Sequence, residues 1–172
     1  MFERPQADEY NEYFSRYTSL VPEGNLITLL EEQQAETNRI FSSVSEAQAE
    51  YRYAEGKWSL KEVLGHIVDT ERIMSYRLLR IARGDTTSLP GFNQDAYIEG
   101  DPFRGLTIAD LLENYNAVRQ ATLLLIKQMP AEAYARIGYA NQSPLTARAV
   151  ACIIYGHERH HLSIIQERYL NA

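Results

Sequence analysis

Cysteine is almost absent. Cys152 is the single one in 172 residues, which rules out an intrachain disulfide framework and fits a reducing compartment. Within "AVACIIY" it reads as a small core residue, with a reactive thiol as the lesser alternative. Long apolar runs are missing too, since no segment approaches the ~20 residues that span a bilayer. Clusters of lysine or arginine are likewise lacking. With 17 basic and 23 acidic residues the formal net charge is −6, so the chain has no cationic stretch on which phosphate-tracking nucleic-acid binding would rest. The opening "MFERPQADEY" does not have the basic-then-apolar layout of a secretory signal. The expectation is a cytoplasmic protein with neither membrane nor nucleic acid as partner, and one domain over residues 1–172.

Proline and glycine are also sparse, at 6 and 9 residues, and they divide the chain into a few long segments of helical rhythm. Residues 7–19 read as a short amphipathic helix stopped by Pro22 and Gly24. Asn25 is placed as N-cap of "NLITLLEEQQAETNRIFSSV", where Leu26, Leu30, Ile40, Phe41 and Val44 keep a three-four spacing. Gln33 and Thr37 break that stripe with polar side chains at core-facing turns. A second helix opens at "KWSLKEV" with a Ser59–Glu62 capping box and runs to about Arg83, where Gly84 supplies the stop. The connection that follows, "GDTTSLPGFNQDAYIEGDPFRGL", is long enough to be either disordered or functional. Its Phe92, Tyr97 and Phe103 favour an ordered loop packed over something. Thr107, with Asp110 at the box position, caps a third helix that ends before Pro130. After a loop through "YANQSP", Thr146 starts a fourth. No convincing strand pattern is present. The expected fold is all-α, a four-helix bundle with a long ordered loop between helices 2 and 3 and its sites between helices.

Histidine is scarce, with four in the chain, yet three of them interrupt "IIYGHERHHLSIIQERY". With Ile153 set at zero, His157 and His161 fall at about 40° and 80°, inside the apolar arc, while His160 lies at about 340° on its shoulder. On the second helix, with Leu60 at zero, His66 lies at about 240°, flanking the apolar stripe near Thr70 and Arg77. Glu71, at about 20°, sits in the middle of that stripe and needs a partner, because an isolated buried charge is very costly. Two imidazoles one turn apart and a third from a facing helix can converge at the ~2.0–2.1 Å of metal–nitrogen bonds, leaving a coordination position open. Blander readings stand beside this one. An H-x-x-x-H pair arises by chance on many helices, His66 fits a surface position, and Glu71 fits a simple pair with Arg77 or Arg119. Gly65 and Gly156 each precede a histidine, where two backbones can approach closely.

Together "GKWSLKEVLGHIVDTERIMSYRLLRIARGD", "LPGFNQDAY" and "GHERHHLSIIQERY" resemble the DinB family, in the wider DinB/YfiT-like group. The match runs from "SLVPEG" to the final helix, and its specific parts are the H-x-x-D-x-E and G-H-x-x-H-H runs. The resemblance implies a four-helix bundle, often a homodimer, with a divalent metal on His66, His157 and His161. All-imidazole ligation suits several transition ions; zinc and nickel come first, with iron, manganese and copper also admitted. Asp69 and Glu71 match the acidic positions. Asp69 lies at about 180° and is the more exposed, so Glu71 is expected to hold a ligand or Arg77 from behind. His160 is expected to stand beside the ligands without joining them. Relatives in the wider group include thiol-dependent transferases and isomerases that use low-molecular-weight thiols. The expected activity is therefore metal-dependent thiol S-transfer or hydrolysis of a small molecule, with Gln33, Thr37 and Tyr97 lining the pocket. The competing expectation is a non-catalytic, stress-linked dimer that holds a metal or small ligand.

Overall fold

Every long helix begins at a side chain that satisfies its free N–H groups. The computed structural model describes residues 3–170. In chain order its elements are α1 (Ser15–Thr18), α2 (Leu26–Ser42), α3 (Glu46–Ala49), α4 (Leu60–Ala82), α5 (Gln94–Glu99), α6 (Ile108–Lys127), β1 (Ile137–Ala140), β2 (Ser143–Thr146) and α7 (Ala147–Ile164), which widens into a π-helical turn at Ile165–Leu170. Asn25 Oδ1 accepts from the N–H groups of Ile27 and Thr28 at the head of α2. Reciprocal boxes start α4 at Ser59–Glu62 and α6 at Thr107–Asp110, and the Thr146 hydroxyl accepts from Ala149 N–H to start α7. Gly84, at φ +82°, ends α4 in the left-handed conformation expected of it.

The bundle is made by α2, α4, α6 and α7. Its principal packing sets α4 against α7 and α6, and α2 against the same two helices. The apolar side chains form two clusters. One holds Leu30, Met74, Leu78, Leu123 and Ile153, and the other Phe41, Leu64, Ile67, Leu111 and Leu162. Between them each helix interrupts its apolar stripe at one level: α2 with Gln33 and Thr37, α4 with Glu71, α6 with Arg119 and Thr122, α7 with His157 and Glu158, all buried. The polar breaks visible along α2 are thus one side of a layer that crosses the molecule.

Two local expectations change. Residues 7–19 do not form one helix. Ala7–Glu9 and Glu12–Phe14 are separate 3₁₀ turns, the second restarted by the Asn11 side chain, which accepts from Tyr13 N–H. The stretch through "YANQSP" is a β-hairpin, with Ile137 opposite Thr146 and Ala140 opposite Ser143. Asn141 and Gln142 both take positive φ, 49° and 63°, as a two-residue hairpin turn of the primed type requires. The long connection is ordered, as its aromatics imply. Leu89 donates to Tyr139 O and accepts from Asn141 N–H, α5 lies within it, and Phe103 is buried.

Candidate metal centre

The helix register of α7 sends His157 and His161 to one face, one turn apart, and α4 packs on that face with His66. The Nε2 atoms of His66 and His157 lie 3.0 Å apart, and one donor nitrogen from each of the three rings falls within 4.8 Å of the others. Two ligands on one ion with ~2.0–2.1 Å bonds stand roughly 2.8–3.4 Å apart, depending on the bond angle. The His66–His157 spacing lies in that interval. His66 and His157 are buried, whereas His161 is partly exposed. Burial pushes His66 down to about 4. Burial, then the neighbouring imidazoles, holds His157 and His161 well below the usual histidine range. At neutral pH all three rings are uncharged, which is the form that ligates.

The walls of the cluster are aromatic. Trp58 packs against His66 with ring centroids 4.8 Å apart and planes tilted by 53°, and Tyr17 meets His157 edge-on at 5.3 Å. Trp58 is fixed through its carbonyl, which accepts from the Tyr169 hydroxyl at 2.7 Å. Thr70 Oγ1 lies 3.5 Å from His66 Nδ1, a long contact that orients the ring with Nε2 toward the other histidines. The two glycines serve close approach. A Cβ on Gly156 would come within 2.0 Å of the Tyr17 carbonyl oxygen, and one on Gly65 within 2.2 Å of the Phe103 ring. The backbone-to-backbone contact is thus made by Gly156 with the segment of α1, and Gly65 makes room for a ring of the long connection.

A cavity of about 550 Å³ opens beside His157, with Tyr17, Thr70, Arg77, Phe92 and Asn141 among its lining residues. Of the other residues singled out from the sequence, several lie elsewhere. Glu71 does not hold a ligand or Arg77: its carboxylate takes a bidentate pair from Arg119, at 2.9 Å and 2.8 Å. Arg119 also pairs with Glu158. Gln33 and Thr37 line no part of that cavity; they donate to Tyr155 O and to Glu158 Oε1 inside the polar layer. Tyr97 is 48% exposed and stands behind Phe92, 5.6 Å between rings, so Phe92 and not Tyr97 faces the cavity. Asp69 is half-buried, with desolvation raising its carboxyl and Arg72 opposing the rise, and it does not join the histidines. His160 meets Tyr17 and His161 edge-on without entering the group.

Sequence reasoning passed over Tyr17, Trp58 and Glu158. Glu158 had a usable sign, because on the α7 wheel it falls at about 140°, at the edge of the isoleucine arc. Trp58 and Tyr17 come from outside the helices that carry the ligand candidates, and periodicity gives no access to such neighbours.

The donor set fits a transition ion. Imidazole nitrogens suit zinc, nickel, copper and iron, whereas calcium and magnesium require oxygens that the cluster does not offer. Two solved structures are similar in fold. YfiT from Bacillus subtilis, described as a probable metal-dependent hydrolase with an unusual four-helix bundle topology, superposes with a TM-score of 0.77 at 16% identity, over 88% of this chain and 93% of its own. The DinB-like protein YjoA from Bacillus subtilis gives 0.62 at 18% identity, over 86% and 92%. No protein of curated function matches the chain at a significant level. The sequence profile of the DinB superfamily matches residues 29–165, from the first turn of α2 to the end of α7, and the chain belongs to that superfamily.

Proposed function

We propose that the protein is a metal-dependent enzyme acting on a small molecule, with His66, His157 and His161 holding one divalent transition ion. Zinc or nickel fits first, and iron, manganese or copper follows. The observation that carries the reading is the 3.0 Å approach of two buried imidazole nitrogens, with a third imidazole in the same group, beside a cavity that reaches His157. YfiT's description as a probable metal-dependent hydrolase supports hydrolysis. Thiol S-transfer is the other chemistry proposed for the same centre. When bound, the ion supplies Lewis acidity, which lowers the proton affinity of a coordinated water or thiol and polarises an electrophile.

The remaining work falls to the chain itself. Thr70 sets the orientation of His66, while Trp58 and Tyr17 keep water from the buried faces of the rings. Burial holds all three imidazoles neutral, so no proton has to leave before they ligate. The cavity wall of Phe92, Arg77 and Asn141 positions the substrate next to His157. Elemental analysis of protein purified without an affinity tag is expected to find about one ion per chain, absent in His161→Ala. Turnover against a panel of esters, amides and thiol–electrophile pairs is expected to stop on chelation. An ion-free protein, or activity indifferent to chelation, would sink the proposal. A stoichiometric ion with no turnover across the panel would favour the non-catalytic binding module.

A further inference from the structure

The bundle buries two arginines and treats them differently. Arg119 is fully buried and meets two carboxylates, those of Glu71 and Glu158. Arg77 is 5% exposed, and among the described residues no carboxylate lies within ion-pair distance of it. A guanidinium carries five N–H donors. Arg77 engages Pro90 O through Nη2 at 2.9 Å and the Met74 sulfur, a weak acceptor, through Nη1 at 3.4 Å. Burial alone lowers its proton affinity, with no anion to offset the cost. A desolvated cation without a counter-charge is expensive for a fold to keep, so the counter-charge is to be sought outside the chain.

Its surroundings say where. Arg77 lines the cavity that ends at His157, and among the described residues no aspartate or glutamate lines that cavity. The Phe92 ring lies 5.7 Å from the guanidinium carbon, and Asn93, Asn141 and Ser143 add neutral hydrogen-bonding groups. In a chain of net charge −6, a cavity that offers one cation and no acid is selective for an anion. A single cation on a wall of aromatic and neutral polar side chains matches a monoanion better than a phosphate dianion, which calls for several charges.

We propose that Arg77 is the specificity determinant of this cavity, binding the carboxylate of an organic monoacid whose other end reaches His157. The assignment uses the cavity of the proposed reaction but does not need the ion, so it is tested on chelated protein. There its failure would leave the metal reading intact, and an ion-free native protein would leave this one intact.

The probes are 3-phenylpropionate and its neutral isostere 3-phenylpropionamide, titrated calorimetrically, with phenyl phosphate as a third arm. The acid is expected to bind roughly tenfold or more tightly than the amide, as a charge-assisted pair implies. That ratio is expected to fall to about one in Arg77→Met, and phenyl phosphate is expected to bind more weakly than the acid. Because Arg77→Met removes a buried cation that has no counter-charge, its melting temperature is expected to equal or exceed that of the parent despite the lost bond to Pro90 O. Should that variant not fold, Arg77→Lys keeps the charge without the planar fork and is expected to lower the ratio. No saturable binding of either phenylpropionyl probe, equal affinity for acid and amide, tighter binding of phenyl phosphate, or a ratio unchanged in the folded variant would overturn the proposal.

Discussion

His66, His157 and His161 are neutral for reasons that precede any ion. In water an imidazole titrates near 6.5, and a metal arriving at pH 6 must displace protons from it. Here burial has already removed them, with His66 pushed down to about 4 and the other two well below the usual range. Metal binding at pH 5.5–6, below the range in which water on the ion would ionise, is therefore expected to release close to zero protons, because the rings have none to give up. The apparent affinity should stay nearly flat from pH 8 to about 5 and fall only as protons begin to compete for the rings. Calorimetric titrations of zinc into chelator-stripped protein, in buffers of different ionisation enthalpy, would measure this. Release of one proton or more at pH 5.5–6, or a tenfold loss of affinity per unit around pH 6.5, would contradict it.

The ends of α2, α4, α6 and α7 were legible in Asn25, Ser59–Glu62, Thr107–Asp110 and Thr146 because capping is local chemistry. The inward facing of His157 and His161 was legible because helix periodicity is geometry. The hairpin was not, since Pro144 argues against a strand and Gln142 is a poor residue for a positive φ. The partner of Glu71 was undecided between Arg77 and Arg119 because it lies on another helix, 48 residues away. Gly156 shows both sides. The sequence points to close approach at that residue, yet only the fold reveals the Tyr17 carbonyl as the partner. Because both atoms in conflict belong to backbones, Gly156→Ala is expected to displace α1 and cost about 3 kcal/mol or more in urea denaturation. It should also loosen the Tyr17 ring from His157. Gly65→Ala meets a ring that can turn aside and is expected to cost less. Equal, small losses in both variants would show that α1 is not held where the contact places it.

Across the whole molecule, acid should act in two stages, on the histidine cluster first and on the arginine-paired carboxylates second. Each buried histidine has a folded-state pKa below its unfolded value, so the unfolded chain binds the extra proton first. Such a group contributes its full stability above pH 6.5 and loses it as pH falls toward the folded value, about 4 for His66. At about 1.4 kcal/mol per unit, His66 alone accounts for roughly 3 kcal/mol at most. The carboxylates of Glu9 and Glu62 are held below their ordinary values despite desolvation, by Arg148 with Thr146 and by Arg52 with Ser59. Their contribution has the opposite origin and a lower window: it is present above about pH 4.5 and disappears below it. Chelated protein is therefore expected to lose several kcal/mol between pH 6.5 and 4.5, before the arginine-paired carboxylates begin to protonate. Metal at a thousandfold excess over its dissociation constant adds about 4 kcal/mol by mass action and should delay the first stage while leaving the second largely in place. Urea denaturation at half-unit pH steps, with and without zinc, separates the two stages. A chelated protein equally stable at pH 6.5 and 4.5 would mean that the three rings are not held neutral together, and the centre would lose its electrostatic basis.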